Sequence, residues 1–437
     1  MNSTDLAPKG QQQVALWMST FAFTVCFAVW TIFSIIGIKI KQELGLNDTQ
    51  FGLLVATPIL TGSLIRLALG IWTDQIGGRI VFTGVMLSAA AATWLLTTMS
   101  TYEGYLFAAL LVGIAGGSFA VGITYVSKWF PKEKQGTALG IFGAGNVGAA
   151  VTKLGAPLIM VAYGWHAVAK IWAIALAVTA VLFFLFTHDD PQHAQRRASG
   201  EKPVSFFKQL EPLKNLQVWR FSLYYFFVFG AFVALALWLP RYLVGAYGLD
   251  VKTAGLIGAC YSIPASLFRI VGGWLSDKVG ARTIMYWTFI VSAICTFLLS
   301  YPDTTYVVKG ITGDISFTFA MGVIPFTVLV FILGFFMSLG KAAVYKHIPV
   351  YYPQHVGAVG GVVGMIGGLG GFILPITFGA LNDKLGVWTS CFMLLFALVA
   401  IALTWMHFAI RRMERKHFPA IKTETDLPEI INATKNR

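Results

Sequence analysis

Ser63-Leu64-Ile65-Arg66-Leu67-Ala68-Leu69-Gly70 places a full positive charge inside an apolar run long enough to cross a membrane. Ser266-Leu267-Phe268-Arg269-Ile270-Val271-Gly272-Gly273 does the same 203 residues later. Each copy runs into a similar ending at the same offset, Gly70-Ile71-Trp72-Thr73-Asp74-Gln75-Ile76-Gly77-Gly78-Arg79 and Gly273-Trp274-Leu275-Ser276-Asp277-Lys278-Val279-Gly280-Ala281-Arg282. A guanidinium at bilayer depth costs at least about 2.5–3.5 kcal/mol on insertion scales, so two at equivalent depths in two halves of one chain imply a shared ligand. That ligand is an anion. A plainer reading ties each arginine to a carboxylate on a neighbouring helix. Against it, all nineteen Asp and Glu residues fall at or beyond the ends of the apolar runs, which leaves carbonyls, hydroxyls and aromatic faces as internal partners.

Hydrophobic residues make up 57% of the 437 and charged residues 12%, about half the charged share of a soluble domain. The chain reads as an integral membrane protein in contact with the lipid bilayer. A net charge of +13 would suggest nucleic acid in a soluble protein. Here the basic residues gather in loops on one side, as membrane orientation requires, and no nucleic-acid partner is expected. Cys26, Cys260, Cys295 and Cys391 all lie in apolar runs without metal-ligand spacing, so neither disulfides nor a metal site is expected. The polar start, Met1 to Gln13, precedes an apolar run longer than a signal core, and no cleaved signal is expected.

With about 20 apolar residues needed per crossing, twelve spans fall near 14–38, 50–73, 80–99, 104–128, 136–162, 167–187, 217–243, 252–276, 283–301, 320–345, 357–381 and 386–410. One long polar segment separates the sixth from the seventh. The expected organisation is a six-helix half over 1–187, a cytoplasmic linker over 188–216, a second six-helix half over 217–410 and a cytoplasmic tail over 411–437. With both termini inside, twenty-one Lys and Arg lie on the inner side against seven outside, and Arg66, Lys153, Arg269 and Lys341 lie within spans. The termini are therefore expected in the cytoplasm.

Spans 5 and 11 are crowded with glycine, including Gly143, Gly145, Gly367 and Gly368. Close helix packing explains part of this density. Bending beside a cavity is the other reading, and the sequence leaves both open.

The two Gly-x-x-x-Asp-x-x-Gly-x-Arg endings, the twelve spans and the basic linker resemble the major facilitator superfamily, built of two related six-helix halves with a midplane substrate site. Asp74, Arg79, Asp277 and Arg282 would then form an inner-surface cluster that holds one conformation. Gly116-Gly117-Ser118-Phe119-Ala120, Trp129-Phe130-Pro131-Lys132, Gly136-Thr137-Ala138-Leu139-Gly140 and Gly143-Ala144-Gly145-Asn146-Val147-Gly148 resemble the nitrate/nitrite porter family's first glycine-rich signature. Gly360 to Pro375 resembles its second, and Phe27 to Ser34 is similar as well. This resemblance covers nearly the whole chain. It implies that Arg66 and Arg269 hold the anion, that Asn146 donates an amide hydrogen bond, and that Phe119, Tyr225 and Phe229 supply aromatic walls. Tyr224 and Tyr225 point about 100° apart on a helix, so only one of them should face the pore.

Nitrate is flat and singly charged, and its coplanar oxygens suit the two-donor fork of arginine. Sulfate or phosphate would bring more charge than this set of donors meets. Lys153, seven residues after Asn146, lies on nearly the same face, while Lys341 is expected to snorkel to the inner interface. Both are candidates for coupling. The expectation is a nitrate transporter, with nitrite as a second substrate, working as a monomer in a bacterial inner membrane and favoured as proton-coupled import. Nitrate/nitrite exchange, or transport of another small monoanion such as formate, is the alternative. No catalytic constellation, nucleophile elbow or phosphate loop is present, so neither an enzyme nor a cofactor is expected.

Overall fold

The computed structural model describes residues 8–130, 132–189, 214–351 and 356–417. Most of the expected linker 188–216 and the tail beyond 417 lie outside the described residues. Among the described residues, eleven helical runs are long and apolar enough to cross a bilayer. In chain order, with Asp48–Ile76 as α2, they are α1 Lys9–Leu44, α3 Gly78–Thr98, α4 Tyr102–Ser127, α5 Ala138–Tyr163, α6 Trp165–Phe186, α7 Leu216–Tyr247, α8 Val251–Ser276, α9 Ala281–Leu299, α10 Val323–Ile348, α11 Val359–Leu385 and α12 Ser390–Met413. These twelve helices match the spans expected from the sequence and form an all-α membrane fold with two halves.

The surface is apolar where lipid would lie. Phe107, Val161, Ile174, Phe297, Ile324, Ile401 and Phe408 are all exposed, whereas polar Ser19, Thr31, Asn146, Thr152 and Ser262 are buried. This inverts the arrangement of a soluble bundle, because only the bundle interior offers hydrogen-bond partners at membrane depth.

Local sequence sets the helix ends. Asn47 caps α2 in a reciprocal box with Gln50, and Asp250 caps α8 through the amides of Lys252 and Thr253. Gly77 and Gly280, equivalent in the two repeats, turn the chain from α2 into α3 and from α8 into α9 with φ of 101° and 88°. A side chain at either position would strain that turn.

Five of the helices are interrupted near their middles, which the sequence periodicity does not show. α1 breaks at Thr31 and Ile32, α4 and α5 tighten to 3-10 geometry over Gly113–Gly117 and Ala144–Val147, α7 widens to a π-turn over Phe226–Ala231, and α8 breaks at Phe268. Such irregularities frequently mark functional positions. Between α9 and α10 stands an unexpected antiparallel hairpin, β1 Thr304–Lys309 with β2 Asp314–Phe319, in register from Thr304↔Phe319 to Lys309↔Asp314.

The first six helices meet the last six mainly where α2 packs along α11 and α5 against α8. At the end of the bundle that holds the α2 N-terminus, this seam is clasped around one buried carboxylate. Asp48 accepts from Lys41 Nζ at 3.0 Å and from Arg241 Nη2 and Nε at 3.0 and 3.2 Å, and Asn382 Nδ2 donates to its other oxygen. The backbone amides of Asp48 and Thr49 donate in turn to Asp383 at 3.0 and 2.7 Å. A carboxylate at the α2 N-terminus also lies favourably in the helix dipole.

Candidate functional site

Arg66 enters the bundle from the middle of α2 and is 7% exposed. Its Nε donates to the Gly116 carbonyl at 3.4 Å and its Nη1 to the Gly364 carbonyl at 3.2 Å. The guanidinium also lies 5.6 Å from the Trp30 ring centroid, 5.3 Å from Phe119 and 5.6 Å from Phe229. Arg269, equally buried, follows the break in α8 and lies 5.8 Å from the Phe119 ring and 5.7 Å from Tyr345. The two arginines therefore share one aromatic ring. Neither is in ion-pair distance of a carboxylate among the described residues, which disposes of the bundle-tying reading.

Asn146 lies in the 3-10 stretch of α5, three residues after Gly143, and a Cβ on Gly143 would fall 3.2 Å from Arg269 Nη1. Residues i and i+3 fall on nearly the same helix face, which places Asn146 on the side of α5 that Gly143 turns to Arg269. Both polar atoms of its amide, and Arg269 Nη1, are buried without a hydrogen-bond partner among the described residues. Buried polar groups are nearly always hydrogen-bonded, and leaving one unpaired costs about 1–3 kcal/mol. Three unpaired groups beside two uncompensated arginines suit a small anion with several acceptors.

The aromatic wall comes chiefly from α7. Tyr225 stacks on Phe229 with centroids 5.1 Å apart and rings 7° from parallel, and it meets Tyr345 of α10 edge-on at 5.0 Å. Tyr224 turns away to pack edge-on against Phe289 of α9 at 5.5 Å. One tyrosine of the pair faces the arginines, as helical geometry requires.

Trp30, Phe232 and Tyr345 belong to this chamber, and the sequence reading did not assign them to it. Tyr345 could have been found, since it is four residues after Lys341 on the same helix face. Phe232 could not, because a π-turn of unforeseen geometry precedes it.

The four singled-out glycines divide into two kinds. Gly143 and Gly368 each face an arginine from the opposite half, and a Cβ on Gly368 would lie 3.4 Å from Arg66 Nη1. Gly145 packs instead on Phe23 and Thr24 of α1, and Gly367 on Tyr225 of α7, each within its own set of six helices. Close packing accounts for this second pair.

The two lysines differ from expectation. Lys153 is fully buried in the seam, where its Nζ donates to the Ala149 carbonyl at 3.1 Å and its stem lies against Gly258 of α8. Lys341 does not snorkel. It is fully buried, with Nζ donating to the Ala265 carbonyl at 2.5 Å and lying 3.6 Å from the Phe232 centroid. Ten residues of helix, about 15 Å, separate it from Tyr351 at the inner helix end, beyond the reach of its side chain.

In the repeated endings, Arg79 donates from Nε at 3.0 Å and Nη2 at 2.5 Å to the Phe184 carbonyl of α6, and Arg282 is buried. The side chains of Asp74 and Asp277 lie outside the described residues.

The chain matches the model of the Major Facilitator Superfamily over residues 18–324 and 247–433. It is 44% identical to a probable nitrate/nitrite antiporter, NarK1, of Thermus thermophilus, over 94% of this chain and 95% of that one. With the nitrite extrusion protein of Bacillus subtilis the identity is 31%, over 92% and 96% of the two chains. A bacterial homologue of the human lysosomal transporter Spinster, solved in an inward-facing and occupied conformation, superposes with a TM-score of 0.68 at 16% identity. That alignment covers 93% of this chain and 98% of the other, and it speaks to the fold alone.

Proposed function

The chain belongs to the Major Facilitator Superfamily and, within it, to the nitrate and nitrite transporters, and we propose that it carries nitrate, with nitrite as a second substrate, into the cytoplasm by alternating access. The supporting observation is the pair of buried arginines that share the Phe119 ring, with no carboxylate at ion-pair distance among the described residues. Two planar forks and the Asn146 amide suit a flat monoanion, and the rings of Phe119, Tyr225 and Phe229 sandwich it while excluding water. Formate shares part of this chemistry and serves as the competitor in binding assays. In this reading the protein works as a monomer in the bacterial cytoplasmic membrane with both termini inside, and the repeated endings around Arg79 and Arg282 hold one conformation of the cycle.

Coupling to protons is the favoured mode. Two guanidinium groups give the empty site a net positive charge, so it returns without an anion only if another group changes state. Lys153 is that group in this proposal. It sits in the α5–α8 seam, which must part when the outer side opens, and it lies about two turns beyond Asn146 on nearly the same face.

Exchange of nitrate for nitrite is the second reading, favoured by that same permanent charge, and the Thermus thermophilus relative carries an antiporter name. The deciding measurement is nitrate uptake into proteoliposomes under an imposed pH gradient with no internal anion. Native protein is expected to accumulate nitrate, and Lys153→Gln to lose gradient-driven uptake while keeping exchange against internal nitrite. Accumulation only with internal anion, and native behaviour of Lys153→Gln, would replace symport with exchange.

A further inference from the structure

α8 is not continuous through its arginine. It runs from Val251 to Leu267, breaks at Phe268 with φ −71° and ψ 1°, and resumes at Arg269. In an unbroken helix the N–H of Arg269 would donate to the carbonyl four residues earlier, that of Ala265. Here the Lys341 ammonium donates to the Ala265 carbonyl instead. A residue of α10 thus holds the carbonyl on which the course of the Arg269 helix depends.

The rest of the ammonium's environment agrees with a structural placement. Its other close neighbour is the Phe232 ring, 3.6 Å from the centroid, and no carboxylate pairs with it among the described residues. Counted from the outer ends of their helices at Asp48, Val251 and Val323, Arg66, Arg269 and Lys341 are each eighteen residues in, which puts the lysine at the level of the two arginines. The first half shows the contrast. Arg66 lies in an unbroken helix and is fixed by carbonyls of Gly116 and Gly364 directly, whereas Arg269 Nη1 has no hydrogen-bond partner among the described residues and its guanidinium lies against the rings of Phe119 and Tyr345.

We infer that Lys341 is a positioning residue for Arg269: by donating to the Ala265 carbonyl it keeps α8 broken at Phe268 and so points the Arg269 guanidinium into the anion chamber. Take the donor away, and a buried carbonyl is left unpaired. The nearest repair is the Arg269 N–H, whose bond to Ala265 would close the break, extend the helix through Phe268 and turn the guanidinium away from Phe119.

This inference rests on the nitrate reading for its binding assay, so the test has a second arm that needs no ligand. Lys341→Met removes charge and donor at similar volume, and Lys341→Gln removes the charge but retains an N–H donor. Nitrate affinity by calorimetry is expected to fall about tenfold or more in the Met variant and to recover to within about threefold of native in the Gln variant. Hydrogen–deuterium exchange of the segment spanning Ala265 to Gly272 is expected to slow in the Met variant, as the Arg269 amide becomes bonded, and to stay native in the Gln variant. Thermal unfolding in detergent identifies any variant that fails to fold.

Three outcomes overturn the inference. They are native affinity with native exchange in Lys341→Met, lost affinity with native exchange, and equal impairment of both variants, which would assign the effect to charge. If native protein binds no nitrate, the transport reading fails while the exchange arm still decides the role of Lys341.

Discussion

Arg66→Lys and Arg269→Lys are each expected to abolish nitrate uptake while leaving a folded protein in the membrane. Each substitution keeps the charge and discards the plane. Arg66 reaches the Gly116 and Gly364 carbonyls with two different nitrogens while its flat group lies among Trp30, Phe119 and Phe229. A lysine ammonium is a point donor, unable to span two carbonyls and still present a fork to a planar anion. Losing one desolvated charge-assisted contact costs about 2–5 kcal/mol, which is more than an order of magnitude in affinity at the low end. Uptake into proteoliposomes and binding by calorimetry check this, with thermal unfolding as the control for folding. Near-normal uptake by either variant would remove the two-arginine site.

The second large effect is expected at Gly368. Its missing Cβ lets α11 lie against Ser63 and Arg66 of α2, directly at the level of the Arg66 guanidinium. Gly368→Leu would insert four carbons into that contact, and interiors packed to this density do not absorb them without shifting backbone. Because Arg66 lies there, both nitrate binding and turnover should fall, turnover by about a hundredfold as the arginine loses its place. Gly84→Leu is the matched control, since a Cβ at Gly84 meets nothing within 4 Å. A Gly368→Leu variant that transports like Gly84→Leu would show that α2 and α11 are not tightly apposed during the cycle. Gly145→Leu is a different case, for its neighbours are Phe23 and Thr24 of α1, and there the burden falls on stability.

The twelve spans were legible because length and apolarity alone decide them, and the repeat of Arg66 in Arg269 pointed to the chamber because charge at that depth has few explanations. What lay beyond reach was geometry inside the helices. The break at Phe268 lies where a side chain from another helix meets the backbone, at the Ala265 carbonyl, and no pattern within one span records its neighbour's donors; the π-turn at Phe226–Ala231 leaves no periodic signal either. Lys341 was misplaced for the same reason: its partner is a carbonyl 76 residues away. The hairpin is another matter. Asp314–Phe319 alternates polar and apolar after a glycine-bounded turn, a period-two signal that was present in the sequence but fell between two spans read only by length, whereas Thr304–Lys309 carries β-branched and aromatic residues without alternation.

The outer clasp has a consequence for the membrane in which this protein sits. Asp48 receives donors from Lys41 of its own six helices and from Arg241 and Asn382 across the seam, so parting the seam strips two of three partners from a buried carboxylate. Because both cross-seam contacts converge on that one carboxylate, the clasp favours a shut mouth over a half-open one. A bilayer that stores energy as an ion gradient is drained by any pore that stands ajar, however briefly. Insulation of the whole membrane against such a short circuit is thus delegated, at this protein, to one aspartate and the handful of side chains that grip it.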